Sequence, residues 1–220
     1  MLFAAFRAVC IGVCGLMVGG CLSVGNVINY AAADAMNYSQ LTADARKGDP
    51  ELAVAIKRIS ESPEHRRMQG VLADLPSDMR ACLVIEIAET GEAKELSPAV
   101  LCMFVSADSV GFLSNFAFNE DGANAPRKGE WRAAVWPAPA DADSLLPDDP
   151  ASLLNSSDTQ TASSASKTAV IILTLVTDEQ TQTLALWDDG SELSAPDGLV
   201  HNLLGRLPPG MRRSIAPGSL

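Results

Sequence analysis

Two apolar runs, residues 81–89 and 99–106, constrain this chain most. Both are rich in Val, Ile, Leu and Phe, and a polar turn containing Gly91 separates them. Runs of that length and composition, bounded by turn residues, read as β-strands, and two of them about a short connection read as an antiparallel pair. The same texture continues downstream. Phe112, Phe116 and Phe118 follow, then residues 130–136, in which Trp131, Ala133 and Val135 face one way and Arg132, Ala134 and Trp136 the other. Residues 168–177 and 181–187 read as further strands, and Asp189-Gly190 is a hairpin turn signal. A closing helix over 197–205 ends ahead of Pro208-Pro209.

Upstream of the strands, residues 24–74 carry a helical pattern. Asp49-Pro50-Glu51 supplies a capping side chain followed by Pro at the first helical position, and Leu52, Ile56 and Ile59 then share one face. Ser62-Pro63-Glu64 repeats the start signal, with Met68, Val71, Leu72 and Leu75 as the next apolar stripe. Between residues 137 and 167 the composition falls to Ala, Ser, Pro, Asp and Thr, which predicts a long flexible excursion inside the β domain. The expected fold is therefore α+β, with N-terminal helices packed on an antiparallel, β-sandwich-like sheet that carries a long disordered loop. Its expected division is a signal peptide at 1–20, a lipid-anchored helical segment at 21–76, a β domain at 77–207 with its flexible insertion at 137–167, and a tail at 208–220.

The first twenty residues suggest where such a chain resides. Residues 2–20 are apolar apart from Arg7, and the uninterrupted part, 8–20, is too short to span a bilayer comfortably and fits the apolar region of an export signal. It closes in Val18-Gly19-Gly20-Cys21, which resembles the lipobox of bacterial lipoproteins. That resemblance implies cleavage before Cys21 and a lipid anchor on its thiol. Leu22 follows, not the Asp that retains such proteins at an inner membrane, which implies an outer-membrane anchor facing the periplasm in a Gram-negative source. The other reading is an uncleaved signal anchor, with residues 2–27 as one transmembrane helix. The charge of −11, from 16 Lys plus Arg against 27 Asp plus Glu, opposes binding to nucleic-acid phosphates.

Cys10 and Cys14 lie within the leader, so Cys82 and Cys102 are the two thiols left to the mature chain. An exported pair invites a disulfide, the other reading being two buried free thiols. A hairpin centred on residues 91–94 would set Cys82 opposite about Val105 and Cys102 opposite about Ile85, too far apart to bridge.

Within residues 83–118 a strand (Leu83-Val84-Ile85-Glu86-Ile87), a polar loop, a Ser97-Pro98 entry to a second strand and the spaced Phe112 and Phe116 are similar to the outer-membrane lipoprotein of type VI secretion systems. The resemblance implies a transthyretin-like β-sandwich that docks by its loops onto the periplasmic part of an inner-membrane partner, with no catalytic residues. The helices before the first strand and the excursion after Trp136 depart from that pattern.

No catalytic, metal or cofactor motif stands out. His65 and His201 lack Cys or carboxylate at metal-ligand spacing and read as surface or helix-packing residues. No Gly-x-Ser-x-Gly elbow occurs, and Cys82 has no evident basic partner. Asp141, Asp143, Asp148 and Asp149 lack the spacing of a calcium loop and read as solvated charge. Trp131, Trp136 and Trp187 are the side chains best suited to an interface or a ligand groove. The expected function is a non-enzymatic, lipid-anchored interaction or assembly module of the envelope with a protein partner. The alternative is an envelope protein that binds a glycan or peptide through those Trp residues.

Overall fold

The computed structural model describes residues 30–73, 78–90, 98–117, 127–154, 167–177, 180–194 and 198–215. The leader, Cys21, the turn centred on 91–94, Phe118, and Leu75 lie outside them.

Three helices come first: α1 (Tyr30–Gly48), α2 (Pro50–Ser60) and α3 (Pro63–Ala73). Both start signals work as chemistry requires. The Asp49 carboxylate accepts the backbone N–H groups of Glu51 and Leu52, each at 3.1 Å, and Ser62 Oγ accepts that of His65 at 3.1 Å. Strands β1 (Met79–Glu89), β2 (Ala99–Ser106), β3 (Ser109–Ala117), β4 (Arg127–Pro137), β5 (Ala169–Thr177) and β6 (Thr181–Asp188) form a single sheet in the order β4-β3-β2-β1-β5-β6, with every neighbouring pair antiparallel. The alternation expected of residues 130–136 is present. Trp131 packs against the α3 side of the sheet, whereas Ala134 and Trp136 pack against the other.

The α+β class, with N-terminal helices on an antiparallel sheet, is therefore found, but the layer on the far face is helical, with no second sheet among the described residues. On the near face Cys82, Val84, Val100, Cys102, Ala88, Val170 and Ile172 lie under Ile56, Ile59, Met68 and Leu72. On the far face Leu83, Ile85, Leu101, Met103, Ile171 and Leu173 lie under the segment after β4 and the C-terminal helices α4 (Ser191–Ser194), α5 (Leu199–Arg206) and α6 (Pro209–Ile215). The central strands β1, β2 and β5 read as continuous apolar runs because both faces are covered.

Three expectations need correction. Residues 137–154 of the expected flexible insertion are packed: two 3-10 turns, Ala142–Ser144 and Pro150–Leu153, bury Leu145, Leu146, Leu153 and Leu154 in the far-face core. Two Leu-Leu pairs anchor a segment whose remaining composition suggests disorder; residues 155–166 lie outside the described part. Asp189-Gly190 makes no hairpin. Gly190 takes a left-handed φ of +103°, and Asp189 Oδ1 accepts the N–H of Ser191, so the pair turns β6 into α4. The expected tail begins with a helix, because Pro209 stands at the first position of α6, where a missing N–H costs nothing, and Met211 is buried.

Candidate functional site

A carboxylate inside an apolar strand is costly unless paired, and β1 contains one. Glu86 shares the helix-facing side of β1 with Cys82, Val84 and Ala88 and is completely buried. Tyr38 of α1 donates its hydroxyl to Oε2 of Glu86. Nδ1 of His65, in the first turn of α3, lies 3.0 Å from both carboxylate oxygens. The Tyr38 and His65 rings lie 4.6 Å apart at 55°. A proton on Nδ1, donated to the carboxylate, leaves Nε2 as the outward edge of the ring. There Gln69, one turn along α3, places its amide nitrogen 2.9 Å away, the geometry of an amide donating to a neutral imidazole. The network ties α1, α3 and β1 together at one point. His65 is thus a buried helix-packing residue with a carboxylate partner, while His201 is exposed on α5.

Above this network lies a cleft of about 470 Å³ between α1, α2 and α3. Its floor includes Tyr38, His65 and Gln69, and its walls carry Arg46 from α1 and Lys57, Ser60 and Glu61 from α2. The volume is within the usual range for small-molecule sites, although the lining is more polar than most.

A second polar cluster joins the start of α2 to the edge strand β6. Asp49 Oδ2 accepts the indole N–H of Trp187 at 2.7 Å and lies 3.3 Å from Lys167 Nζ, which also reaches Glu51 at 2.9 Å and sits 4.6 Å from the centre of the Trp187 ring. Partial burial pushes the Asp49 carboxyl upward, but the Leu52 N–H, the Trp187 indole and Lys167 outweigh it and hold the group below its ordinary value. The ion pair with Glu51 raises Lys167. Next along β6, burial raises Asp188, against which the N–H groups of Glu192, Gly190 and Leu193 pull the other way.

The three Trp residues are not brought together. Trp131 and Trp136 lie on opposite faces of β4, and Trp187 is on β6 at the opposite edge of the sheet. The Arg67 guanidinium covers Trp131 at 4.8 Å, and Trp136 stacks on Phe112 with centroids 5.6 Å apart. No common groove can include all three. The four aspartates also separate by role: Asp149 caps the second 3-10 turn, and Asp143 pairs with Arg80 at 3.3 Å.

For the cysteines the expected register is one residue off, with a large consequence. Cys82 pairs with Phe104 and Cys102 with Val84, so the two thiols stand diagonally on the same face. Both are buried and reduced, with sulfurs 3.5 Å apart, correcting the expectation that they are too distant to meet.

Sequence reasoning passed over Glu86 and Tyr38. The available signal was parity, since Glu86 is a lone carboxylate at the same spacing as Cys82, Val84 and Ala88. Comparison with known proteins finds no matching family model, no matching curated protein and no matching solved structure.

Proposed function

We propose that this chain is a non-enzymatic, lipid-anchored protein of a bacterial cell envelope, held in the outer membrane by Cys21, facing the periplasm and acting by contact with a protein partner. The observation that carries the reading is the order of the first residues: Arg7, an apolar stretch and Gly19-Gly20-Cys21 closing it. Tyr30, where α1 begins, is nine positions after Cys21, so even a fully extended connection would reach only about 30 Å. An anchor there would keep the three-helix layer near the bilayer. The single sheet covered by helices on both faces differs from the two-sheet sandwich implied by the type VI secretion resemblance, so the proposal rests on the leader and not on that system.

The test is intact mass and membrane fractionation of the native protein beside a Cys21→Ser variant. An acylated chain starting at Cys21, with the variant unprocessed, is the expected result. A full-length, unmodified chain in both samples overturns the anchor.

A further inference from the structure

The Tyr38–Glu86–His65 network is itself buried, yet it lies directly beneath a cleft, because the His65 ring and its partly exposed Gln69 partner form part of the floor between the three N-terminal helices. The hydrogen-bonding capacity there is lopsided. The Thr42 hydroxyl donates to the Tyr38 carbonyl at 2.7 Å and the Ser60 hydroxyl to the Lys57 carbonyl at 2.7 Å, so both protons are committed. The strongest donors left on the walls are the cations. Arg46 is exposed and makes no ion pair with a described residue. Lys57 holds Glu61 only loosely, at 3.8 Å between largely exposed groups.

Two cations face Glu61 on the walls and Glu86 behind the floor, so the site is electrically balanced while the imidazole is neutral. It gains one positive charge when Nε2 takes a proton, and the Gln69 amide can then turn its oxygen to that N–H. An anion entering the cleft would complement this state. The planar guanidinium suits a carboxylate, which it can hold through two parallel bonds.

We infer that the cleft binds a small organic carboxylate, gripped by Arg46 and Lys57 with its anionic end toward the Nε2 edge of His65. Binding and proton uptake at His65 are then coupled: the anion favours the imidazolium, so affinity rises as pH falls. Glu86 and Tyr38 behind the ring, Gln69 beside it, and Arg46, Lys57 and Glu61 on the walls are the groups that set this balance. The inference does not depend on the lipid anchor.

The test is calorimetric and NMR titration of the full chain with acetate, glutarate and citrate, and with glutaramide as an uncharged control. At least one carboxylate should bind with a dissociation constant of about 1 mM or tighter. It should shift amide signals of Thr42, Arg46, Ser60 and Gln69 saturably and take up a proton. It should also bind several-fold more tightly at about pH 6 than at about pH 8. Arg46→Gln should weaken it roughly tenfold, and Arg58→Gln, an exposed cation of α2 outside the cleft, should leave it unchanged. The proposal is overturned if no carboxylate saturates the site, if glutaramide binds equally, if Arg58→Gln weakens binding as much as Arg46→Gln, or if binding occurs without proton uptake.

Discussion

The two faces of the sheet are covered by helical layers of opposite character. On the far face, Leu145, Leu153, Leu199 and Leu203 meet Leu83, Leu101, Met103 and Leu173 in an apolar core. Such a core stabilises by burial and tolerates some repacking. On the near face, apolar patches under α2 and α3 flank a buried carboxylate, a buried imidazole and a buried tyrosine. Groups of that kind are satisfied in one arrangement only, so they fix where α1 and α3 sit on β1 while contributing little net stability. The far layer thus holds the sheet together, and the near layer is held in a defined position beneath a cleft.

The largest expected effect tests that contrast directly. Glu86→Leu strands the Tyr38 hydroxyl and the His65 Nδ1–H in the interior and should cost about 3 to 5 kcal/mol in urea unfolding. Adding Tyr38→Phe and His65→Leu removes the stranded groups and should return most of the loss. A triple variant no better than the single one would show that the network contributes stability and not only position.

On the far face no second change should rescue the first. Leu153 is fully buried, and Leu153→Ala should cost about 3 kcal/mol through lost transfer energy and the cavity left behind. The residue lies in the segment whose composition reads as disordered. A loss below about half a kcal/mol would mean that residues 137–154 do not belong to the core.

The thiol pair offers a third, covalent test. Oxidised glutathione added to the unfolded chain can accept two electrons as the Cys82 and Cys102 thiols lose two protons and form one disulfide. With β1 and β2 in their native register, the linked chain should refold and be stabilised by about 3 kcal/mol, as expected of a closed loop of this order of length. If the oxidised chain is less stable than the reduced one, closing the gap between the sulfurs distorts the hairpin.

How much of this is legible in the sequence depends on whether the signal is local. The starts of α2 and α3 and the five strand segments with clear apolar content are local, being set by Asp49, Ser62 and runs such as 169–177. The hairpin register is not, because one residue more or less in a turn moves Cys82 from Val105 to Phe104 and exchanges the faces. The 3-10 segment is misread because average composition conceals the two Leu pairs that hold it. The candidate site is the least legible part. Tyr38, His65 and Glu86 are far apart in the chain, and only the packing of α1 and α3 on β1 brings them together.

The smallest effects come from Asp49 and Asp188, which are shifted in opposite directions. Asp49 meets Trp187 of β6 on the near face, and Asp188, the next residue of β6, points to the other face. Asp49 is held below its ordinary value, so its contribution is present above the unfolded carboxylate range and disappears as pH falls through the folded value. Asp188 is raised, so the fold favours its protonated form. Its contribution is greatest in acid and declines as pH rises from the unfolded value through the folded one. Asp49→Ala should cost about 1 kcal/mol as a lost helix cap, and Asp49→Asn, which can still cap, should mainly flatten the acid side of the stability profile. Asp188→Asn should match or exceed the parent at neutral pH and lose that advantage in acid. Urea midpoints measured across the acid range separate the cases. If both variants bend the profile in the same direction, Trp187 and Lys167 do not offset the burial of Asp49.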